Sequence, residues 1–215
     1  LVKMDGAVIR VRTEIPEYSN LPDLQYGWSR SVYGDTSEII PLDAPKPLGK
    51  LVRFTHYVDA NLMHDVLSGK SVTGILHIVN QTPIDWYSKK QATIETATYG
   101  SEFVAARTCV EHAIDLRNTF RYLGVPIEDS NYMFGDNKSV VDSSVTPHAT
   151  LNKRHTILSF HRVRQAIAAG VVKFYHIPGT ENPADILSKH WGYSQIWEIL
   201  RPILFWRGDT SGCVE

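Results

Sequence analysis

The hydrophobic period of the chain first changes near residue 99, and that change limits the folds open to it. Residues 51–59, 72–80 and 84–88 are rich in β-branched and aromatic side chains and are separated by short polar or proline-containing breaks. They read as three strands, most economically an antiparallel meander. From residue 99 to 123 the apolar positions Phe103, Ala106, Val110, Ile114 and Phe120 recur at helical spacing, and Gly124 with Pro126 ends the run. Residues 132–134 form a short apolar strand that stops at Gly135-Asp136, and a short helix follows over 137–143. A second long helix covers 153–169, with Ile157, Phe160, Val163 and Ile167 on one face and Gly170 as its stop. Residues 171–177 read as a fifth strand, after which Asn182 can cap a helix with Pro183 at its first position. The order β-β-β-α-β-α-α-β-α predicts an α/β fold: a five-stranded mixed sheet, three antiparallel strands then two parallel, flanked by helices. Parallel neighbours joined through a helix cross over right-handed.

The flanks differ from this middle. Pro16, Pro22, Pro41, Pro45 and Pro47 interrupt residues 1–50, leaving one strand-like run over 7–12. That region is expected to be a linker or the tail of a preceding domain, partly ordered at best. The main domain is expected over 51–192 and a helical tail over 193–215, amphipathic through Ile196, Trp197, Ile199, Leu200 and Leu204. Trp191, Trp197 and Trp206 are expected to pack that tail on the domain. The chain of 215 residues starts at Leu1, without a signal-peptide pattern, and reads as a piece of a longer polypeptide. Its two cysteines, Cys109 and Cys213, exclude a disulfide framework and a cysteine zinc site. Neither His155 with His161 nor Cys109 with His112 has a zinc-ligand spacing. No apolar run reaches the roughly 20 residues of a membrane span. The formal charge of −1 gives no global basic field to attract nucleic acid.

Four acids, Asp59, Glu102, Asp136 and Asp185, fall at the ends or entries of elements in the order strand, helix, strand, helix. Sites in mixed sheets gather at the carboxyl ends of neighbouring strands. If the first and fourth strands are neighbours, Asp59 and Asp136 close them and meet at one rim. Glu102 enters from the first turns of the long helix. Asp185 enters from the first turn of a later helix, whose positive end favours an ionised carboxylate. Taken singly, each acid also reads as a cap, a turn residue or a solvated helix face. Together they suit two hard divalent cations about 4 Å apart beside a phosphodiester. Magnesium prefers such oxygen ligands to His or Cys. Without metal the acids repel, so at least one should have a raised pKa.

The blocks Tyr57-Val58-Asp59-Ala60, Lys70-Ser71-Val72-Thr73-Gly74, Trp86-Tyr87-Ser88-Lys89-Lys90-Gln91 and Gly100-Ser101-Glu102-Phe103-Val104-Ala105-Ala106 lie in that order. Gly135-Asp136-Asn137-Lys138-Ser139, Lys153-Arg154-His155 and Asn182-Pro183-Ala184-Asp185-Ile186-Leu187-Ser188-Lys189 follow. The ordered set resembles the ribonuclease H domain of copia-type LTR retrotransposon Pol polyproteins, over roughly residues 50 to 192. Residues 13–50 resemble the variable stretch joining the reverse transcriptase to that domain. The resemblance implies an RNase H-like fold. It implies cleavage of the RNA strand of RNA–DNA hybrids during reverse transcription, with two Mg²⁺ (Mn²⁺ substituting), giving 5′-phosphate and 3′-hydroxyl ends. It places the catalytic, metal-binding acids on Asp59, Glu102, Asp136 and Asp185, with Asp59 and Asp136 sharing the metals. The implied partners are the hybrid and the reverse transcriptase domain of the same polyprotein, in a cytoplasmic virus-like particle. Where the family often has a second acid two places after the first, this chain has Asn61; Asp65 matches another common acid nearby. His176 is a candidate for proton transfer or product release, against a plainer reading as a strand-end histidine. The alternative is a non-catalytic tether of the same fold. An integrase-like core is disfavoured because the glutamate comes second among the acids.

A hybrid is read by shape, phosphates and 2′-hydroxyls. Asn137 and Ser139, starting a helix just after Asp136, are candidates to touch it. Lys89, Lys90 and Gln91 are candidates for a DNA phosphate. Lys153, Arg154 and His155, with Arg162 and Arg164, form the densest basic stretch. Surface solvation is the plain alternative for each cation.

Overall fold

The structure, a computed structural model, describes residues 8–24, 27–34, 36–151, 156–191, 199–201 and 203–205. Its strands are β1 (Val8–Ile9), β2 (Phe54–Asp65), β3 (Lys70–Val79), β4 (Thr82–Lys90), β5 (Asn131–Gly135), β6 (Val172–His176) and β7 (Leu204–Phe205). Its α-helices are α1 (Thr98–Tyr122), α2 (Lys138–Val145), α3 (Ile157–Ala168) and α4 (Asp185–Ser188). The main sheet has the order β4-β3-β2-β5-β6. β2, β3 and β4 pair antiparallel, and β5 and β6 add in parallel. This is the five-stranded mixed sheet expected from the sequence. Among the described residues no helix is long and apolar enough to cross a membrane.

α1 and α3 cover one face of the sheet. Phe103, Cys109 and Val110 of α1, Phe160 and Val163 of α3, and Val58, Ile75, Met133 and Phe174 of the strands form one buried core. Each fully buried large apolar side chain contributes about 1.5–3 kcal/mol relative to exposure. Both long helices stop where the glycines were expected to stop them. Gly124 (φ 70°) and Gly170 (φ 71°) take the left-handed conformation that a side chain resists. At each end two backbone bonds close the turn: Gly124 N to Arg121 O with Val125 N to Phe120 O, and Gly170 N to Ile167 O with Val171 N to Ala166 O. That is the Schellman arrangement.

The first strand of the sheet departs from expectation in a way that matters. β2 runs to Asp65, so Asp59 lies within it instead of closing it. Its parallel ladder with β5 ends at Val58↔Gly135, while its antiparallel ladder with β3 continues through Asp59↔Gly74 to Asn61↔Val72. A bulge follows, with Met63 at φ 51°, before Asp65 pairs with Lys70. β2 therefore outruns β5. Local residue preference cannot reveal this, because the longer β3 supplies the pairing.

The residues before β2, expected to be a loosely held linker, strap the domain. Trp28 and Tyr33 are buried in the core cluster. The Arg164 guanidinium lies 5.0 Å from the Trp28 ring and 5.5 Å from the Tyr33 ring. Arg164 is 2% exposed and donates to the carbonyls of Ser143, Thr146 and Pro147. It thus satisfies the end of α2 from the core, and the expectation that it joins a nucleic-acid-facing stretch is corrected. Tyr18 meets Thr55 (2.9 Å), and β1 pairs with β7. The expected tail helix lies largely outside the described residues, and Leu204–Phe205, placed in it, are strand instead.

Glu38 is the polar anchor of the strap. Arg117, 1% exposed, donates to both carboxylate oxygens (2.7 and 2.8 Å), and Arg121 does the same (2.7 Å each). Burial alone would raise the Glu38 pKa. The hydrogen bonds and charges of Arg121 and Arg117 outweigh it and bring the group down to about 2. A lowered folded pKa stabilises above the unfolded value of 4.5, and the contribution is lost as pH falls from about 4.5 towards about 2. Glu38→Gln should therefore destabilise the chain by about 3 kcal/mol at pH 7, because Arg117 is left as an uncompensated buried charge. In urea melts at a series of pH values, the gap between wild type and variant should shrink below pH 4.5. A gap that is constant with pH would remove Glu38 as the anchor.

Candidate active site

Where β2 outruns β5, the sheet has a step, and the acids gather on it. Asp136 directly follows Gly135, the last residue of β5, so it sits beside Asp59 just past the end of the parallel ladder. Glu102, in the second turn of α1, reaches the same point from the helical layer. Carboxylate oxygens of Asp59, Glu102 and Asp136 lie within 4.8 Å of one another. They line an open cleft of about 460 Å³, with Asn137, Lys138, Ser139 and Lys189 on its walls.

Gln91 holds the helix backbone next to Glu102. The Gln91 side chain is 5% exposed and donates to Thr73 Oγ1 (3.0 Å) and to Ser101 O (2.8 Å). It ties the start of α1 to β3. Gln91 is therefore a buried brace, which corrects its reading as a phosphate contact.

Asp185 arrives by a different route. It opens α4, which is one turn long and lies across β3 and β4. The close approach needs Gly74: a Cβ there would stand 2.6 Å from Ala184 O and 2.9 Å from Ser188 N. Ser88 Oγ donates to Leu187 O (2.5 Å) from β4. Asn182 does not cap a helix as expected. Its side chain donates to Val58 O (3.0 Å) and accepts from Ala184 N (3.1 Å), tying the loop to β2 one residue before Asp59. The turn then presents three residues to the acids. Ser188 Oγ donates to Asp59 Oδ2, and Lys189 Nζ donates to Asp185 Oδ1 and lies 3.5 Å from Asp59 Oδ1. The counter-charge for Asp185 is thus Lys189, in place of the helix end that was expected.

The electrostatics follow from crowding. Burial raises the Asp59 pKa to about 6; Ser188 and Lys189 oppose the shift, and the Asp136 and Asp185 charges add to it. Glu102 is pushed well above the usual carboxylate range by burial and then by Asp59 and Asp136. Burial also raises Asp136, with Lys189 opposing and Asp185 adding. Shifts in this direction mark carboxylates whose mutual repulsion a bound cation would relieve. The donor set is all oxygen and the Lys189 ammonium already stands between two of its members, so the residues fit hard divalent cations.

The other candidates divide. Asn137 caps α2, its Oδ1 accepting from Val140 N (3.2 Å), and Ser139 is exposed on the cleft wall. Lys89 and Lys90 are exposed on the edge strand β4, in register with Thr73 and Val72 of β3. Two strand spacings, about 10 Å, separate them from β2. Lys90 pairs with Asp65 (2.8 Å), and that acid is not part of the cleft lining. Asn61 lines the cleft and donates to His64 Nδ1 (2.8 Å). Lys153, Arg154 and His155 lie outside the described residues. His176 is exposed at the end of β6, and its Nε2–H donates to Asp136 O (3.1 Å). Trp191 Nε1–H donates to Asp185 O (3.0 Å), while Trp197 and Trp206 lie outside the described residues. Gly74, Ser188 and Lys189 carry roles that the sequence did not disclose, although the turn chemistry around Asn182 marked the segment.

A second set, His77, Asp85 and His112, also brings ligand atoms within 4.8 Å of one another. Its hydrogen bonds oppose a metal. Arg117 donates to Asn131 Oδ1 (2.6 Å), so the Asn131 amide donates to His56 Nε2 (2.8 Å). His56 must then donate from Nδ1 to His77 Nδ1 (2.7 Å). The remaining His77 proton sits on Nε2, turned toward His112 Nδ1 (3.4 Å), and His77 has no free lone pair for an ion.

The chain is related in sequence to transposon polyproteins. It is 27% identical over 160 residues to the retrovirus-related Pol polyprotein from transposon TNT 1-94 of Nicotiana tabacum, covering 74% of this chain. It spans only 12% of that polyprotein's length. No family model matches the chain. Among solved structures it is similar to the N-terminal RNase H domain of Rv2228c from Mycobacterium tuberculosis (14% identity, TM-score 0.48, covering 63% of this chain and 95% of that one). It is also similar to LC11-RNase H1 in complex with an RNA/DNA hybrid (14% identity, TM-score 0.47, covering 63% and 93%).

The fit of α4 on β3 generates a prediction. Gly74→Ala should lift the Ala184–Ser188 backbone off the sheet, at a stability cost of about 1–3 kcal/mol. It should weaken Mn²⁺ binding measured by calorimetry while circular dichroism stays native. Unchanged metal affinity would mean that Asp185 is positioned by other contacts.

Proposed function

We propose that this chain, which has an RNase H-like fold and is related to retrotransposon Pol polyproteins, is a metal-dependent ribonuclease H that cuts the RNA strand of RNA–DNA hybrids. One observation carries the reading: Asp59, Glu102 and Asp136 converge in an open cleft, with Asp185 joined to them through Lys189. Burying like charges together is costly unless they bind something positive. A non-catalytic tether has no use for four such acids.

Asp59 and Asp136, adjacent on the step of the sheet, would be shared between two Mg²⁺, with Glu102 completing one position and Asp185 the other. Magnesium bound there supplies positive charge that activates water and relieves the leaving oxygen of a phosphodiester. Glu102, facing the cleft from α1, would orient the attacking water beside the RNA 2′-hydroxyl. Asn137 and Ser139 flank the acids at the start of α2 and would hold the RNA strand through short polar contacts. Lys89 and Lys90, on the far edge of the sheet, would meet a phosphate of the DNA strand. Those contacts position the hybrid without reading its sequence. His176, exposed and bonded to the Asp136 carbonyl, would take or give a proton as product leaves. In this reading the reverse transcriptase domain of the same polyprotein supplies hybrid affinity that a chain of net charge −1 lacks, within a cytoplasmic virus-like particle.

Incubation with a labelled RNA–DNA hybrid and Mg²⁺ or Mn²⁺ should release RNA fragments with 5′-phosphate ends. Single-stranded RNA and duplex DNA should stay intact. Asp136→Asn should lower the rate by at least roughly 100-fold. Cutting that persists in EDTA, or in Asp136→Asn, would reject the mechanism.

A further inference from the structure

We propose that Lys189 is a displaceable internal cation that occupies the divalent-ion position between Asp59 and Asp185 and yields it to a divalent ion when its ammonium moves to a nucleic-acid phosphate. The proposal rests on the reading of the acids as a metal site and concerns a residue to which that reading assigns nothing.

The geometry is specific. Lys189 follows Asp185 by one helical turn, so its stem runs alongside the acid. Its ammonium binds Asp185 Oδ1 and stands 3.5 Å from Asp59 Oδ1. The second Asp59 oxygen is taken by Ser188 Oγ. Asp59 is 1% exposed, so a cation reaching its Oδ1 has to come through the cleft, where Lys189 already stands. A magnesium ion binds oxygen at about 2.0–2.1 Å and cannot share those two oxygens with an ammonium. Occupation by Lys189 and by a divalent ion is mutually exclusive. The oxygens of Glu102 and Asp136 carry no bond to Lys189 among the described contacts, and Asp59 Oδ2 accepts from Ser188 with a second lone pair to spare, so these three acids leave a position for a first ion away from Lys189.

Two consequences follow. The protein without metal has a counter-ion of its own for a crowded acid cluster. The second divalent position is weak until the ammonium has somewhere else to go. Lys189 is about one-third exposed and lines the cleft, so a backbone phosphate entering there is a partner of the right charge. Metal at the Asp59–Asp185 position and nucleic-acid phosphate should therefore favour each other, a coupling that is reciprocal by linkage.

The test is Mn²⁺ titration by calorimetry and electron paramagnetic resonance, without nucleic acid. Wild type should show one tighter and one weaker ion. Lys189→Met should tighten the weaker ion by roughly tenfold. It should also melt lower than wild type in EDTA and gain more from added Mn²⁺. Lys189→Arg, which keeps the charge, should behave as wild type. Should Lys189→Met fail to fold, Lys189→Gln serves the same comparison. A second ion bound no more tightly in the neutral variants, or more weakly, overturns the proposal. A wild type that cuts hybrids with no such tightening leaves the ribonuclease reading standing and removes only the role of Lys189. A wild type that neither binds Mn²⁺ nor cuts hybrids removes both.

Discussion

Carboxylates within a few ångströms of one another repel, and more strongly as water is excluded from around them. Most of what surrounds the cleft serves to make their proximity tolerable. The unequal ladders of β2 place Asp59 and Asp136 side by side on a step of the sheet. Gly74 lets a backbone turn lie flat on β3, and Asn182 pins that turn to β2. The turn then delivers a hydroxyl and an ammonium to the acids it brings near. The acids and their relief are parts of one short segment, which is why Asn182, Asp185, Ser188 and Lys189 act together.

How much of this was legible in the sequence depended on whether the cause was local. Helix stops at Gly124 and Gly170, the helix start at Asn137, and the order of strands and helices were legible because each depends on neighbours along the chain. The four acids could be grouped because each falls beside a break in local pattern. The length of β2 was not legible, because β3 on one side and β5 on the other decide it. Gln91 and Arg164 look like surface cation-and-amide chemistry until packing buries them. Asn182 carried a correct signal of turn chemistry, but the group it bonds is Val58 O on a strand distant in sequence.

The strap shows the same limit on a larger scale. Proline-broken sequence such as residues 1–50 has little periodicity, and local reading expects a linker or domain tail that is partly ordered at best. Its hold on the domain includes single long-range contacts: two aromatic rings under Arg164, one carboxylate between Arg117 and Arg121, and Tyr18 on Thr55. Those arginines in turn satisfy loop carbonyls of the domain at Glu128, Asp129, Ser143 and Thr146. The strap and the sheet therefore share a framework of buried guanidinium groups.

That framework reaches further than the strap. From Arg117 through Asn131, His56 and His77 to His112, every link hands one hydrogen forward, and a guanidinium can only give. The row behaves like dominoes that have all fallen the same way, with a permanent cation as the hand that pushed the first. Were position 131 a carboxylate, it would receive from both sides, the row would fall back toward it, and His77 would turn a bare nitrogen toward His112 of α1. What separates a silent row of rings from a ligand for a soft ion is one NH₂ group on a neighbouring side chain, a difference that imidazole nitrogen shifts would report.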